Sequence, residues 1–253
     1  MNLQEAADHI GVHYQTAYRW VRGGELVARK TGRSYEITAD EVHRFKELRS
    51  TPTDPPAQLR IRSWESLRVR LIDALLEGDE LVARHTTSRL FDGGVSAVDI
   101  CDTLIAPALN EIGALWHQGR ESVAVEHRAT EICSRILASL YSHHRGRPRG
   151  IAIVLGAPGD AHAMPATMAA IALREDHWQV HHLGPHVPVG GVIDLARKVG
   201  AHLVIISSTF GEQTELQAFA EHLRAEHLLV FIGGIDGTTL RELVALARGC
   251  RNT

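Results

Sequence analysis

The sequence has few of the features that mark specialised chain classes. It has only three cysteines, Cys101, Cys133 and Cys250, scattered and with no CxxC pair. That spacing excludes a finger-type zinc site and a disulfide framework. The expectation is reduced thiols in a cytoplasmic protein, with Cys101 and Cys133 in a core. No apolar run approaches a membrane span, and the N-terminus lacks a signal peptide. Formal charge is only −3, so any nucleic-acid signal must be local. There is no internal repeat and no low-complexity segment. Neither GxGxxG nor a P-loop Lys-Ser/Thr is present, so a phosphate cradle is a poor reading. No nucleophile–base pair stands out, and the protein is not expected to be an enzyme. The 253 residues suffice for two or three small domains with real cores.

What is present is organised around Leu155 to Met168, LGAPGDAHAMPATM. An apolar run, Ile151 to Leu155, reads as a buried parallel strand, and an apolar helix follows the loop. Asp160 and His162 then sit on the loop at the strand's carboxyl end, where open α/β sheets place ligands. A carboxylate bonded to one imidazole nitrogen sets the tautomer and makes the other nitrogen a better metal donor. Sixteen histidines in the chain mean that a lone His carries little weight. His85, His143, His144, His177, His181, His182 and His186 read as surface groups, and His181 and His182 point to opposite faces of a strand.

Residues 149–253 alternate strand and helix, with strands expected at 150–155, 178–183, 202–208 and 228–232 and helices at 163–175, 189–199, 212–226 and 237–248. This is a flavodoxin-like, Rossmann-like parallel sheet. Residues 63–147 read as a four-helix bundle. Its inner positions are Leu67, Leu71 and Leu75; then Leu81, Val82, Leu90 and Phe91; then a helix from Ser96 and Asp99 to Trp116, bending at Pro107; then Val123 to His143, with Ile132, Ile136, Leu137 and Leu140 inward. Residues 50–62 hold three prolines and read as a linker.

Residues 1–49 form a compact first unit. Leu3, Ala6, Ala7 and Ile10 share a helix face, Gly11 turns the chain, and Val12, Ala17, Trp20 and Val21 mark a second helix: a helix-turn-helix pattern. Its outer face carries His13, Tyr14, Gln15, Tyr18, Arg19 and Arg22, and a hairpin follows with Arg29, Lys30 and Arg33. From 19 to 33 there are five basic residues against one acid, the local cluster that phosphate contacts need. Asp40 is expected to cap a last helix, Glu41 to Arg49.

Three resemblances add to this. Asp160-Ala-His162, then Ser207-Ser-Thr209, then Gly233-Gly234 resemble the Asp-x-His-x-x-Gly, Ser-x-Leu and Gly-Gly motifs of the cobalamin-binding domain of methionine synthase and its relatives. Pro165 stands where Gly is usual, and Thr209 where Leu is usual. The family's sheet normally has a fifth strand, for which no residues remain before Thr253. Residues 1–49 resemble the winged helix-turn-helix of MerR-type and excisionase-like proteins, with Tyr18-Arg19-Trp20-Val21 a looser match to the usual motif. Trp116-His117 followed by Glu126-His127 is similar to the cap bundle of CarH/LitR-type, MerR-family, cobalamin-dependent light-responsive repressors.

The resemblance implies an α/β multidomain regulator with adenosylcobalamin as chromophore. His162 would be the lower cobalt ligand, oriented by Asp160. Ser207, Thr209, Gly233 and Gly234 would border the nucleotide tail. Trp116, Glu126 and His127 would contact the upper face, and His117 would become an upper cobalt ligand after light. Implied partners are operator DNA and further copies of the chain as a tetramer, with promoter occlusion of RNA polymerase. Three alternatives stay open: a corrinoid carrier for methyl transfer, a cobalamin sensor that ignores light, and a regulator on this fold that senses something else.

Overall fold

The computed structural model describes residues 1–10, 17–18, 20–21, 26–31, 34–50, 63–140, 147–209, 213–234 and 237–250. They fall into two compact units, Met1–Ala57 and Gln58–Thr253, so bundle and sheet belong to one unit. No helix among the described residues is long and apolar enough to cross a membrane.

In the first unit, α1 (Leu3–Ile10) buries Leu3, Ala6 and Ala7 along one face. These meet Ala17, Trp20, Leu26, Ile37, Val42 and Phe45 in one small core. The rings of Trp20 and Phe45 lie 5.1 Å apart. β1 (Arg29–Thr31) and β2 (Ser34–Glu36) pair antiparallel as a hairpin. The last helix, α2 (Ala39–Ser50), is capped by Thr38 rather than Asp40: the Thr38 hydroxyl accepts the Glu41 N–H at 3.2 Å. Asp40 lies inside the first turn, where its charge favours the helix dipole but cannot cap.

The second unit opens with α3 (Trp64–Glu77), α4 (Glu80–Asp92), α5 (Ala97–Ile100), α6 (Ala106–His117) and α7 (Val123–Ser139). Leu81 is not inward but 79% exposed. The buried face of α4 is set by Ala83, Thr86, Thr87 and Leu90, a helical spacing that excludes position 81. The expected third helix is also interrupted. A π-helical turn, Cys101–Ile105, separates α5 from α6. Pro107 occupies the first turn of α6, where a missing N–H costs little; the irregularity lies just ahead of it. Ser96 caps α5 through the Asp99 N–H at 3.0 Å, while the Asp99 carboxylate pairs with Arg241. Burial in the bundle pushes the Cys133 thiol up to about 12 and raises Cys101 as well, as befits inert core groups.

The sheet is four parallel strands, β3 (Ile151–Gly156), β4 (Gln179–Gly184), β5 (Leu203–Ser207) and β6 (Leu229–Gly233), in the order β4-β3-β5-β6. One face carries α9 (Val189–Val199) and α10 (Gln213–Ala225). The other carries α8 (Met164–Glu175) and α11 (Leu240–Gly249). α11 begins at 240 rather than 237 because Thr239 and Glu242 close a capping box there. His182 on β4 departs from the surface reading: it is half-buried, and burial together with Arg174 holds its pKa below the ordinary value.

α8 is buried on two sides. Ala166, Ala169, Ala170 and Leu173 face the sheet, while Met168 and Ile171 enter the bundle core. Bundle and sheet also cap each other's helices. The Glu175 carboxylate, at the end of α8, accepts the Ala97 and Val98 N–H groups at 2.7 and 3.1 Å, at the start of α5. In return Asp102, in the π-turn, accepts the Leu240 and Arg241 N–H groups at 3.0 and 3.1 Å, at the start of α11. Helix N-termini carry unpaired donors and partial positive charge, so a carboxylate from another element satisfies both. Asp102→Ala and Glu175→Ala should each lower unfolding stability in urea by about 1 kcal/mol, up to about 2. An unchanged urea midpoint would show that these caps hold nothing.

Candidate functional site

Three strands end level at the sheet's carboxyl edge, since Gly156 is in register with Ser207, and Ser207 with Gly233. The pairing runs one residue further through Ala157 N–H to Ser207 O at 2.8 Å and Ser208 N–H to Gly233 O at 2.9 Å. Gly234 has φ 102°, and a Cβ there would lie 2.4 Å from the Ser208 carbonyl oxygen, so only glycine allows this close approach. At Gly233 an added Cβ would meet nothing within 4 Å, which leaves open space beside the end of β6.

The loop after β3 turns at Gly159 and buries Asp160. One Asp160 oxygen accepts the His162 backbone N–H at 2.9 Å and contacts its Nδ1 at 2.7 Å. The other accepts the Thr209 N–H at 2.6 Å and the Thr209 hydroxyl at 2.8 Å. Burial pushes the carboxyl's pKa up, but the hydrogen bonds from Thr209 and His162 outweigh it and hold the group at about 2. An ionised carboxylate cannot donate, so Nδ1 carries the proton and Nε2 the lone pair of the neutral ring. The His162 side chain is 55% exposed, so an oriented imidazole stands at the ligand edge of the sheet.

Thr209 has a further part here. The sequence reading placed it beside the nucleotide tail, whereas the structure shows it donating twice to Asp160. The only signal in the sequence was a hydroxyl where the resembled motif has Leu. Pro165 sits in the first turn of α8 and fits the helix start, where its missing N–H needs no partner.

The bundle residues gather at the turn joining α6 to α7. Trp116 is 40% exposed and is therefore not a core aromatic. Its ring lies 4.6 Å from that of His117, edge to face. His117 Nδ1 is 2.9 Å from the Gly113 carbonyl, a geometry that places its proton on Nδ1 and again leaves the lone pair on Nε2. Glu126, in the first turn of α7, accepts from the Thr130 hydroxyl at 3.1 Å and lies 3.5 Å from His127 Nε2. α7 and α8 pack against each other, and α8 begins two residues after His162.

In the first unit, Tyr18 is exposed and its ring lies 5.9 Å from that of Tyr35. Arg29 and Lys30 are exposed on β1. His13, Tyr14, Gln15, Arg19, Arg22 and Arg33 lie outside the described residues, as do His143 and His144.

A family model described as a helix-turn-helix domain matches residues 1–50. One described as a B12 binding domain matches residues 67–141, the helices of the bundle. The dimethylamine corrinoid protein of Methanosarcina barkeri is 22% identical over 187 residues, covering 70% of this chain and 86% of its own length. A corrinoid protein of Desulfitobacterium hafniense (strain Y51) is 22% identical over 183 residues, 67% of this chain and 83% of its own. The solved monomethylamine corrinoid protein of Methanosarcina barkeri superposes with a TM-score of 0.59 at 17% identity, over 74% of this chain and 99% of its own. This chain shares its fold. The matches support a cobalamin cofactor and a DNA-binding helix-turn-helix domain on one chain.

The hydrogen-bond arrangement makes a test of its own. Asp160→Ala strips the acceptor from the Thr209 and His162 donors and should cost about 1–3 kcal/mol of stability. His162→Ala removes a half-exposed ring and should stay within about 0.5 kcal/mol. Equal losses in urea unfolding would mean that His162 is part of the packing rather than a side chain held out for a ligand.

Proposed function

We propose that this protein is a transcriptional regulator that binds operator DNA and uses adenosylcobalamin as a light-sensing chromophore, acting as a repressor in the dark. It is a regulator rather than an enzyme. The observation that carries the reading is the Asp160-held His162 at the sheet edge, on a chain whose residues 1–50 match a helix-turn-helix domain. The residues at the edge fit the group. His162 offers an oriented imidazole for cobalt, Asp160 holds that imidazole and is itself held by Thr209, and Gly233, beside Ser207 and next to the closed Gly234–Ser208 approach, leaves room for a nucleotide tail.

When bound, adenosylcobalamin supplies a cobalt–carbon bond that visible light breaks. Trp116 would offer its exposed ring to the adenosyl group, and Glu126 and His127 would offer hydrogen bonds to it or to the corrin. His117, whose Nε2 lone pair is left free by the Nδ1 contact to the Gly113 carbonyl, would be the bundle's candidate cobalt ligand after light. A switch needs differential binding to two states, and an adenosyl group that fitted only one bundle position would provide it. Assembly as a homotetramer gives several DNA-binding arms on one particle, so disassembly lowers operator occupancy steeply. Promoter occlusion excludes RNA polymerase while the operator is held, in the cytoplasm.

A second reading, a corrinoid carrier for methyl transfer, is favoured by the corrinoid proteins among the relatives. The helix-turn-helix match and the Trp116-His117/Glu126-His127 set favour regulation. The deciding experiment mixes the protein with adenosylcobalamin in the dark and follows its absorption spectrum and its mass by light scattering, before and after green light. The expected result is a base-off, His-on spectrum and a light-driven change in assembly. Binding without that change would move the reading to a cofactor-level sensor or carrier. His162→Ala should remove the His-on spectrum, and His117→Ala should keep dark binding but alter the photoproduct spectrum.

The wing makes a separate expectation. Replacing Arg29 and Lys30 together by Ala should weaken duplex binding and reduce the slope of log affinity against log salt by about 1–2, one unit per lost phosphate contact. An unchanged slope would take the hairpin out of the DNA interface.

A further inference from the structure

Among the described residues, three non-glycine positions have left-handed backbone, and all are histidines: His177 (φ 67°), His186 (φ 61°) and His227 (φ 60°). Two are explained by helix ends. His177 follows α8 and donates its N–H to Arg174 O at 2.9 Å, and His227 follows α10 and donates to Arg224 O at 3.0 Å. A left-handed residue just past a helix satisfies the last carbonyls. His186 follows no helix. It lies in the loop after β4, between Pro185 and Pro188, and Pro188 starts α9. Glycine would adopt this conformation at lower cost. Strained positions of this kind concentrate at binding and catalytic sites.

The position of His186 gives the strain a use. A Cβ on Gly156 would lie 3.3 Å from the Pro185 Cα and 3.7 Å from the Asp160 backbone oxygen. The residue before His186 and the residue that holds His162 therefore both approach Gly156 at the end of β3. β4 lies on the opposite side of β3 from β5 and β6, so His186 and Gly233 flank the His162 loop from opposite sides. His186 is exposed. Adjacent strands are about 4.8 Å apart, so a flat macrocycle centred on His162 extends over the end of β4.

We infer that His186 is a second imidazole of the cofactor site, hydrogen-bonding to a peripheral amide of the corrin ring on the flank away from Gly233. This rests on the cobalamin reading above. A corrin carries amide side chains around its rim, and a neutral imidazole offers one donor and one acceptor to match them. The left-handed backbone holds the side chain at the edge in a loop bounded by two prolines.

The test uses the full chain and its His186→Gly and His186→Asn variants, titrated by absorbance with hydroxocobalamin and with cobinamide, which lacks the nucleotide tail. Thermal melting of each ligand-free protein is followed in parallel. The expected result for His186→Gly is at least fivefold weaker binding of both corrinoids with a melting temperature equal to or above wild type, since glycine relieves the strain. His186→Asn, which tolerates the left-handed region and keeps a donor and an acceptor, should recover most of the affinity. Weaker binding of hydroxocobalamin alone would place the contact on the nucleotide tail and overturn the assignment. A fall in melting temperature matching the loss of affinity would overturn it in favour of a packing role. Unchanged affinity in His186→Gly, with wild type binding normally, would remove His186 and leave the cobalamin reading standing. Failure of wild type to bind either corrinoid would remove both.

Discussion

The second unit depends on one helix that has no solvent side to spare. α8 lies between the sheet and the bundle, with Ala166, Met168, Ala169, Ala170, Ile171, Ala172 and Leu173 all buried. Burial around most of a helix leaves room only for small side chains where backbones approach closely, which accounts for its alanines. The same helix begins two residues after His162. The packing that joins bundle to sheet therefore also sets where the ligand loop leaves β3. Neither layer can shift far without moving that loop, which ties the core to the site directly.

At the loop itself, the dominant quantity is the charge on Asp160. A buried carboxylate is costly unless its lone pairs are matched. Here both oxygens are matched by donors from two segments far apart in sequence, the His162 loop and Thr209 at the end of β5. The outcome is an anion that stays ionised and orients His162 without itself being reachable from solvent. Thr209 contributes twice to this: its hydroxyl adds a donor to its backbone N–H, where an aliphatic side chain could offer only the N–H.

Much of this was legible in the sequence because the signals were periodic. Four apolar runs ending in Gly or Ser marked the strands, and Asp160, Ser207 and Gly233 fell at their ends by simple counting. What escaped were features decided by tertiary contacts. Leu81 looked like a core residue until the spacing of Ala83, Thr86, Thr87 and Leu90 placed it outside the buried stripe. The π-turn at Cys101–Ile105 has no local signature; it places Asp102 where its carboxylate meets the start of α11. Thr38 and Asp40 are both good caps, and only the helix start at Ala39 decides between them. His186 was read as one more surface histidine, since backbone handedness is not written in composition.

The reciprocal caps also divide the bundle into a tied end and a free one. Glu175 on α5, Asp102 on α11 and the Asp99–Arg241 pair all gather where α5 and the π-turn meet the sheet's helices. Trp116 and His117 lie at the far end of α6, twelve residues long and so about 18 Å from that junction. Moving the near end would leave helix N–H groups and carboxylates unpaired together, whereas the α6–α7 turn is solvent-exposed and makes no such cross-layer caps among the described residues. The cross-layer caps among the described residues thus gather at the π-turn end of α6, while Trp116, His117, Glu126 and His127 stand at its other end, on the turn that no such cap holds.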